Sequence, residues 1–136
     1  MKKYIVVISL VFVLSMALSA CGGGGPTTEF DVLMTDFKFE PMEFTIPAGE
    51  TITVNATNNG AVEHEMVIFN LGTDAGDVFG DEDEANIYWE VEVFPGETST
   101  TTFTAPTEPG VYYVTCGIEG HLEAGMIGSV TVVAAE

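Results

Sequence analysis

Short runs of alternating apolar and polar residues fill most of the chain, separated by Gly, Pro, Asn and Thr. Ile52, Val54 and Ala56 alternate with polar residues in one run, and Trp89 and Val91 alternate with glutamates in another. A period of two residues is typical of a β-strand with one buried and one solvated face. Because no segment keeps the 3.6-residue period of an amphipathic helix, the pattern predicts an all-β protein.

Eight strands can be located from these runs and from the turn residues between them. They are predicted at 29–35, 42–46, 50–57, 64–70, 87–93, 97–104, 110–116 and 127–134. Two antiparallel sheets packed face to face would bury their apolar sides against each other. The predicted fold class is therefore an all-β Greek-key β-sandwich of about eight strands.

The alternation breaks between Gly72 and Asn86, where the sequence reads GTDAGDVFGDEDEAN. A short helix near Asp81–Ala85 is one interpretation of this stretch, and a surface excursion is the favoured one. Its aspartates suggest calcium, but the spacing lacks the ligand ladder and the final Glu of an EF-hand loop. A solvated loop or a partner-facing patch is therefore expected.

The N-terminus has the organisation of an export signal. Lys2 and Lys3 precede an apolar run at 4–18, and residues 18–21 read LSAC. The run is short for a lasting membrane span and typical of a cleaved signal. Its ending resembles a bacterial lipobox, which would make Cys21 the lipidated first residue of the mature protein. An ordinary secretory signal followed by a chance Cys is the alternative.

This leader sets the predicted domain boundaries. Residues 1–20 are a lipoprotein signal peptide, 21–28 are the lipidated Cys and a Gly-rich flexible tether, and 29–136 form one domain. Removing 20 of 136 residues leaves 116, which is enough for one domain with a core. The expected location is the extracytoplasmic face of a membrane, in the periplasm or at the cell surface, with a lipid anchor.

The charge of the chain limits its partners. It has 21 acidic and 3 basic residues for a net charge of −18, and Lys38 is the only basic residue after the leader. Such a surface repels nucleic acids and anionic lipid headgroups, and it would steer cationic partners toward itself. A nucleic-acid partner is therefore not expected. Solubility in a saline or crowded compartment is an equally weighted explanation of the acidic surface.

Four residues form a candidate metal site. Cys116, His121 and Met126 stand in a Cys-x4-His-x4-Met row, and His64 lies some fifty residues upstream. Two His and one Cys with a weak axial Met are the ligand set of blue-copper electron-transfer centres. A disulfide between Cys21 and Cys116 is the alternative in an exported protein. Lipidation of Cys21 would occupy its sulfur and leave Cys116 free to bind a metal.

The strand pattern predicts how these side chains are held. Val114 and Cys116 share the inward face of one strand, so Cys116 is the last inward residue before the chain leaves the sheet. His64 begins the predicted strand 64–70 and would reach the site from the far side. The glycines within 117–125 permit the close backbone approach that a compact ligand loop requires.

Two segments carry a resemblance to a known family. Residues 110–132, GVYYVTCGIEGHLEAGMIGSVTV, resemble the strand, ligand loop and last strand of cupredoxins such as plastocyanin, azurin and auracyanin. Residues 58–69, NNGAVEHEMVIF, are similar to the cupredoxin segment that delivers the first His. The resemblance covers roughly residues 28–134. It implies a type 1 blue-copper protein whose single mononuclear copper is bound by His64, Cys116, His121 and Met126.

The resemblance also implies a function. The expected protein is a membrane-tethered carrier of single electrons, cycling between Cu(I) and Cu(II), and not an enzyme. Its partners would be redox proteins such as a c-type cytochrome or a membrane electron-transfer complex. Because the loop His of cupredoxins lies nearest to solvent, His121 would be the route for electrons.

Other copper functions are weighed against this one. An extracytoplasmic copper carrier or buffer is the alternative. A third hypothesis is an enzyme with an open copper position, for example with a Glu ligand, in which Met126 would be a bystander. The binuclear oxidase centre is excluded because it needs two Cys within one loop. The multicopper oxidases are excluded by the length of the chain and by its 2 His.

One residue departs from the family pattern. Many cupredoxins place Asn or Ser directly after the first His, where the side chain braces the two ligand loops; here Glu65 follows His64. The usual hydrogen bond cannot be assumed, and such bonds tune potential and affinity. Glu63, Glu119 and Glu123 are also near the site in sequence, and most of these glutamates are expected to be solvated.

Overall fold

The structure is a computed structural model that describes residues 24–135. The predicted signal peptide and the lipidation site Cys21 lie outside the described residues. Within them, nine strands and one 3-10 helix follow in chain order. They are β1 Glu29–Thr35, β2 Lys38–Glu40, β3 Glu43–Pro47, β4 Thr51–Asn58, β5 His64–Phe69, the 3-10 helix Asp81–Asn86, β6 Ile87–Val93, β7 Thr98–Thr104, β8 Gly110–Cys116 and β9 Ile127–Val133.

The strands form the two sheets of a sandwich, which confirms the predicted fold class. One sheet has the order β2-β1-β4-β7 and the other has the order β3-β9-β8-β5-β6. The expectation of purely antiparallel sheets was wrong for two pairs, since β1 pairs with β4 and β3 pairs with β9 in parallel. Parallel neighbours cannot be joined by a tight hairpin. Both pairs accordingly join strands that are separated in sequence by at least two others.

The core follows from the alternation in the sequence. In β4, Ile52, Val54 and Ala56 are all fully buried, and their neighbours are partly buried or exposed. The same pattern in β1 buries Val32 and Met34. Apolar side chains from both sheets pack between them into one cluster, which stabilises the fold through the removal of apolar surface from water. This packing holds the strand ends that carry the candidate ligands.

Two elements differ from the sequence-based expectation. The short strand β2 was not predicted, yet it pairs with β1 through a two-residue turn, Asp36–Phe37, and buries Phe39. The favoured interpretation of the acidic stretch as a surface excursion was incomplete, because its last part forms the 3-10 helix. There the Asp83 carboxylate accepts a hydrogen bond from the Gly80 N–H at 2.9 Å, which caps the first turn.

Among residues 24–135, no helix combines the length and the apolar character needed to cross a lipid bilayer.

Candidate metal centre

Three of the four predicted ligands bring their donor atoms together. His64 Nδ1 lies 3.2 Å from His121 Nδ1 and 3.9 Å from Cys116 Sγ. Cys116 Sγ lies 3.3 Å from His121 Nδ1. Nitrogen and sulfur donors that surround one metal ion at about 2.0–2.3 Å in a plane are separated by about 3.5–4 Å. The triangle therefore has the size of a site for a single metal ion.

The sheet positions two of these side chains. His64 is the first residue of β5 and Cys116 is the last residue of β8, and the two strands are antiparallel neighbours with Met66 opposite Cys116. Both donors thus lie at the same end of the sandwich. The backbone N–H of Glu65 donates a hydrogen bond to Cys116 Sγ at 3.4 Å, which ties the sulfur to the His64 strand.

The loop between β8 and β9 positions the other two candidate ligands, His121 and Met126. Its backbone closes on itself, since the Met126 N–H donates to the His121 carbonyl at 3.0 Å and the Cys116 N–H donates to the Met126 carbonyl at 3.1 Å. Gly120 and Gly125 have φ of 83° and 93°, a left-handed conformation that glycine adopts without strain. The loop thereby holds Cys116, His121 and the fully buried Met126 in one compact unit.

Asn58, which the sequence-based reasoning missed, ties the segment before His64 to the end of β6. The fully buried side chain donates from Nδ2 to the carbonyls of Val62 and Val93, both at 2.8 Å, and accepts from the Gly60 N–H at 2.8 Å. These bonds fix the segment that leads into His64. The Asn-Asn-Gly sequence at 58–60 was the available signal, because Asn side chains commonly bond to nearby backbone in turns.

The β1–β2 turn also reaches the site, and this contribution was missed as well. Asp36 Oδ1 lies 3.5 Å from His64 Nε2. The Phe37 ring packs edge-on against the His121 ring, with a centroid separation of 5.2 Å and an interplanar angle of 89°. A single two-residue turn therefore contacts both histidines.

Burial sets the protonation of the three donors. It lowers the pKa of His64, with a further decrease from neighbouring His121 and an opposing contribution from Asp36. Burial also lowers the pKa of His121 and raises the pKa of the Cys116 thiol. Neutral imidazoles offer lone pairs to a metal, and a bound thiol must release its proton. Two imidazoles and a thiol suit copper better than a hard cation such as calcium.

The glutamates around the site differ in their environment. Glu119 and Glu123 are exposed, as expected, whereas Glu65 is partly buried. Burial is the main cause that raises the pKa of Glu65 from its ordinary 4.5 to about 7, and the carboxylates of Glu90 and Glu92 add to it. The Glu65 backbone bonds to both ends of the β8–loop junction, since its N–H donates to Cys116 Sγ and its carbonyl accepts from the Gly117 N–H at 3.3 Å.

The donors differ in their access to solvent. His121 is 7% exposed, whereas His64 and Cys116 are 0% exposed. His121 is therefore the donor side chain nearest to the surface.

The acidic stretch at 72–86 does not form a second centre within the described part of the chain. The one cluster of three or more His, Cys, Asp or Glu donors found among residues 24–135 is His64, Cys116 and His121. The calcium interpretation of the stretch gains no support from this arrangement.

Comparison with known proteins gives a consistent family assignment. The family model of the cupredoxin-like domain matches residues 5–132. Auracyanin-A of Chloroflexus aurantiacus is 31% identical over 144 residues, which cover 85% of this chain and 88% of that protein. The chloroplastic plastocyanin of Hordeum vulgare is 37% identical over 123 residues, which cover 87% of this chain and 72% of that protein.

Solved structures agree with this assignment. The dithionite-reduced auracyanin of Roseiflexus castenholzii superposes with a TM-score of 0.69 and 31% identity, covering 80% of this chain and 99% of that one. Auracyanin A of Chloroflexus aurantiacus, described as a "blue" copper protein, superposes with a TM-score of 0.60 and 27% identity, covering 80% of this chain and all of that one, 100%.

Proposed function

Because this chain belongs to the family of proteins built on the cupredoxin-like domain, we propose that it binds one type 1 copper ion and carries single electrons between redox partners. It is an electron carrier and not an enzyme. The observation that carries this proposal is the buried triangle formed by His64 Nδ1, Cys116 Sγ and His121 Nδ1. The relationship to auracyanin and plastocyanin supports it.

The proposed ligands are His64, Cys116, His121 and Met126. The first three would hold the ion through the triangle, and the Met126 thioether would be the weak axial ligand of such a centre. When bound, copper supplies a one-electron couple between Cu(I) and Cu(II). Met126 is supported by its full burial and by its backbone bonds to Cys116 and His121.

The surrounding residues keep this arrangement rigid. His64 and Cys116 are fixed by neighbouring strands, and Asn58 holds the loop that leads to His64. Rigid donors cannot rearrange when the charge of the centre changes, so little reorganisation accompanies the transfer of an electron. His121, as the donor nearest to solvent, provides the short route between the centre and a docked partner.

The proposal includes a membrane tether and a class of partner. The signal-like N-terminus ending in LSAC supports lipidation of Cys21 and a location on the extracytoplasmic face of a membrane. The net charge of −18 supports a cationic redox partner such as a c-type cytochrome, or a membrane electron-transfer complex with a basic docking face.

Copper spectroscopy of the purified protein tests the central proposal. Addition of Cu(II) is expected to give an intense visible band and a narrow copper hyperfine splitting in EPR. Cys116→Ser is expected to lose the band, because the thiolate is its source, while the adjacent buried control Thr115→Ser retains it. A colourless product with wide hyperfine splitting in the wild-type protein would contradict the proposal.

The role of Met126 has its own test. Met126→Leu keeps the apolar volume but removes the thioether, so a shifted reduction potential with a retained visible band is expected. Met34→Leu, at another fully buried Met, is the matched control and should leave the potential unchanged. Equal potentials in the two variants would rule out Met126 as a ligand.

Exchange measurements separate electron transfer from copper carriage. An electron carrier is expected to retain copper against a mild chelator and to show fast electron self-exchange. Rapid copper loss with slow electron self-exchange would instead indicate a copper carrier.

Lipidation is tested by growing a bacterial host that expresses the full chain with a labelled fatty acid. The wild-type protein is expected to take up the label, and Cys21→Ala is expected not to. An unlabelled wild-type protein would exclude the lipid tether.

A further inference from the structure

The second ring nitrogen of His64 has an unusual environment. His64 is 0% exposed, and no group within residues 24–135 is hydrogen-bonded to its Nε2 atom. Asp36 Oδ1 faces this nitrogen at 3.5 Å. A buried polar atom without a partner is costly, so its surroundings should offer one once the ring is held in place.

Metal binding determines which ring nitrogen of His64 carries the hydrogen. The neutral imidazole has one donor nitrogen and one acceptor nitrogen. The triangle uses Nδ1, so the hydrogen of a metal-bound His64 is on Nε2, where it points toward Asp36. Metal-bound His residues almost always donate this hydrogen to a carboxylate, a carbonyl or water.

The Asp36 carboxylate is held in position by a separate contact. Its Oδ1 accepts a hydrogen bond from the Ala61 N–H at 2.9 Å. Asp36 also belongs to the tight turn in which Thr35 pairs with Lys38. A carboxylate oxygen can accept more than one hydrogen, so the bond to Ala61 leaves it able to accept from His64.

Gly60 keeps the space between the two groups open. A Cβ atom at Gly60 would lie 2.5 Å from Asp36 Oδ1 and 2.7 Å from His64 Nε2. Gly60 is not among the glycines with positive φ, so the backbone does not require glycine there. The requirement is one of space, and any larger residue would separate the carboxylate from the imidazole.

We propose that Asp36 is a positioning residue of the metal centre: its carboxylate accepts the Nε2 hydrogen of His64, directs Nδ1 toward the metal and favours the oxidised centre. The inference rests on the proposed function. A carboxylate adds negative charge close to the centre, which a carbonyl in the same place would not. Because Asp36 is 45% exposed, water screens part of this charge and the effect is modest.

Four variants separate this role from a purely structural one. Asp36→Asn keeps an oxygen that can bond to Ala61 but removes the charge, and Asp36→Ala removes both. Gly60→Ala separates the two groups without changing either. Asp31→Asn removes a carboxylate from β1, the strand that leads into this turn, where Asp31 bonds to Asn55, and is the matched control.

The first measurement uses the metal-free protein. Long-range 15N–1H NMR of His64 is expected to show the hydrogen on Nε2 in the wild-type protein and in Asp31→Asn. In Asp36→Ala and in Gly60→Ala, a shift of the population toward the Nδ1–H tautomer is expected. An unchanged tautomer in Asp36→Ala would overturn the proposal.

The second measurement uses the copper-loaded protein. Asp36→Asn is expected to change the ratio of Cu(II) to Cu(I) affinity about threefold in favour of Cu(I). At 59 mV per tenfold change, this raises the reduction potential by about 28 mV. Asp36→Ala is expected to weaken copper binding about tenfold. A potential in Asp36→Asn equal to that of Asp31→Asn would overturn the proposal and leave Asp36 only its bond to Ala61.

The two proposals can fail separately. Copper binding by the wild-type protein tests the proposed function, whereas the tautomer of His64 in the metal-free protein tests Asp36 without copper.

Discussion

The neighbours of Glu65, which follows the candidate ligand His64, change the pKa of its carboxyl group. Its carboxyl group is partly buried and lies over Gly117, and Glu92 is directly opposite on β6. The pKa of Glu65 is about 7 in the folded protein, against an ordinary value of 4.5. The folded state therefore holds this proton more tightly than the unfolded chain, and its stability falls as pH rises from about 4.5 to about 7.

Glu65→Gln is expected to remove this loss of stability. The variant should match the wild-type metal-free protein near pH 4.5 and exceed its free energy of unfolding by about 1 kcal/mol at pH 8, a value reduced for solvent screening. Urea unfolding at the two pH values measures the difference. Glu119→Gln, at an exposed loop position, is the control. A stability gain of Glu65→Gln that is equal at both pH values would contradict the pKa assignment.

Asn58→Ala is expected to destabilise the protein by about 2–3 kcal/mol. The substitution leaves the Gly60 N–H and the carbonyls of Val62 and Val93 without their buried partner. Asn55→Ala, on the solvated side of the same strand, should cost less than about 1 kcal/mol. Chemical denaturation measures both, and equal losses would show that Asn58 is not a special brace.

The residue types around the site explain which of its parts could be predicted. His64, Cys116, His121 and Met126 could be predicted as ligands because metal affinity is a property of the side chain and because three of them are close in sequence. Asn58 and Asp36 have no such chemistry of their own. Their roles depend on turns that bring distant segments together, and these turns become visible only in the folded chain.

At the scale of elements, the strand β9 depends on a close backbone contact. A Cβ atom at Gly128 would lie 2.6 Å from the Met42 carbonyl oxygen, which also accepts the Ser129 N–H at 2.9 Å. Gly128→Ala is therefore expected to destabilise the protein by about 1–3 kcal/mol through overpacking. Gly25→Ala has no atom within 4 Å of its Cβ and is the control. Thermal unfolding of both variants checks this, and an unchanged midpoint for Gly128→Ala would refute it.

The elements themselves were predictable where the period of two was long. β4 and β6 were located correctly because alternation over seven or eight residues specifies one buried face. β2 has only three residues, and Phe39 is buried because the hairpin register turns it inward. The parallel pairing of β1 with β4 was not predictable either, since alternation determines the faces of a strand but not its neighbour.

At the scale of the whole molecule, charge is expected to control association. The net charge of −18 produces a field that attracts cationic partners and is weakened by salt. Electron transfer to a cationic c-type cytochrome should slow at least about tenfold when ionic strength rises from about 0.01 to about 0.3 M. Stopped-flow kinetics measures the rate, and an anionic redox protein of similar potential should show the opposite trend. Identical salt dependence for the two partners would exclude electrostatic steering.

The course of β1 separates the two ends of the molecule. Glu29 begins the strand and Thr35 ends it beside the turn that contacts both histidines. Six residue steps of about 3.3 Å place about 20 Å between these ends. The tether proposed ahead of Glu29 would therefore hold the protein at the end of β1 that is remote from the histidines. The end that carries the histidines would then face away from the point of attachment and remain accessible to a redox partner.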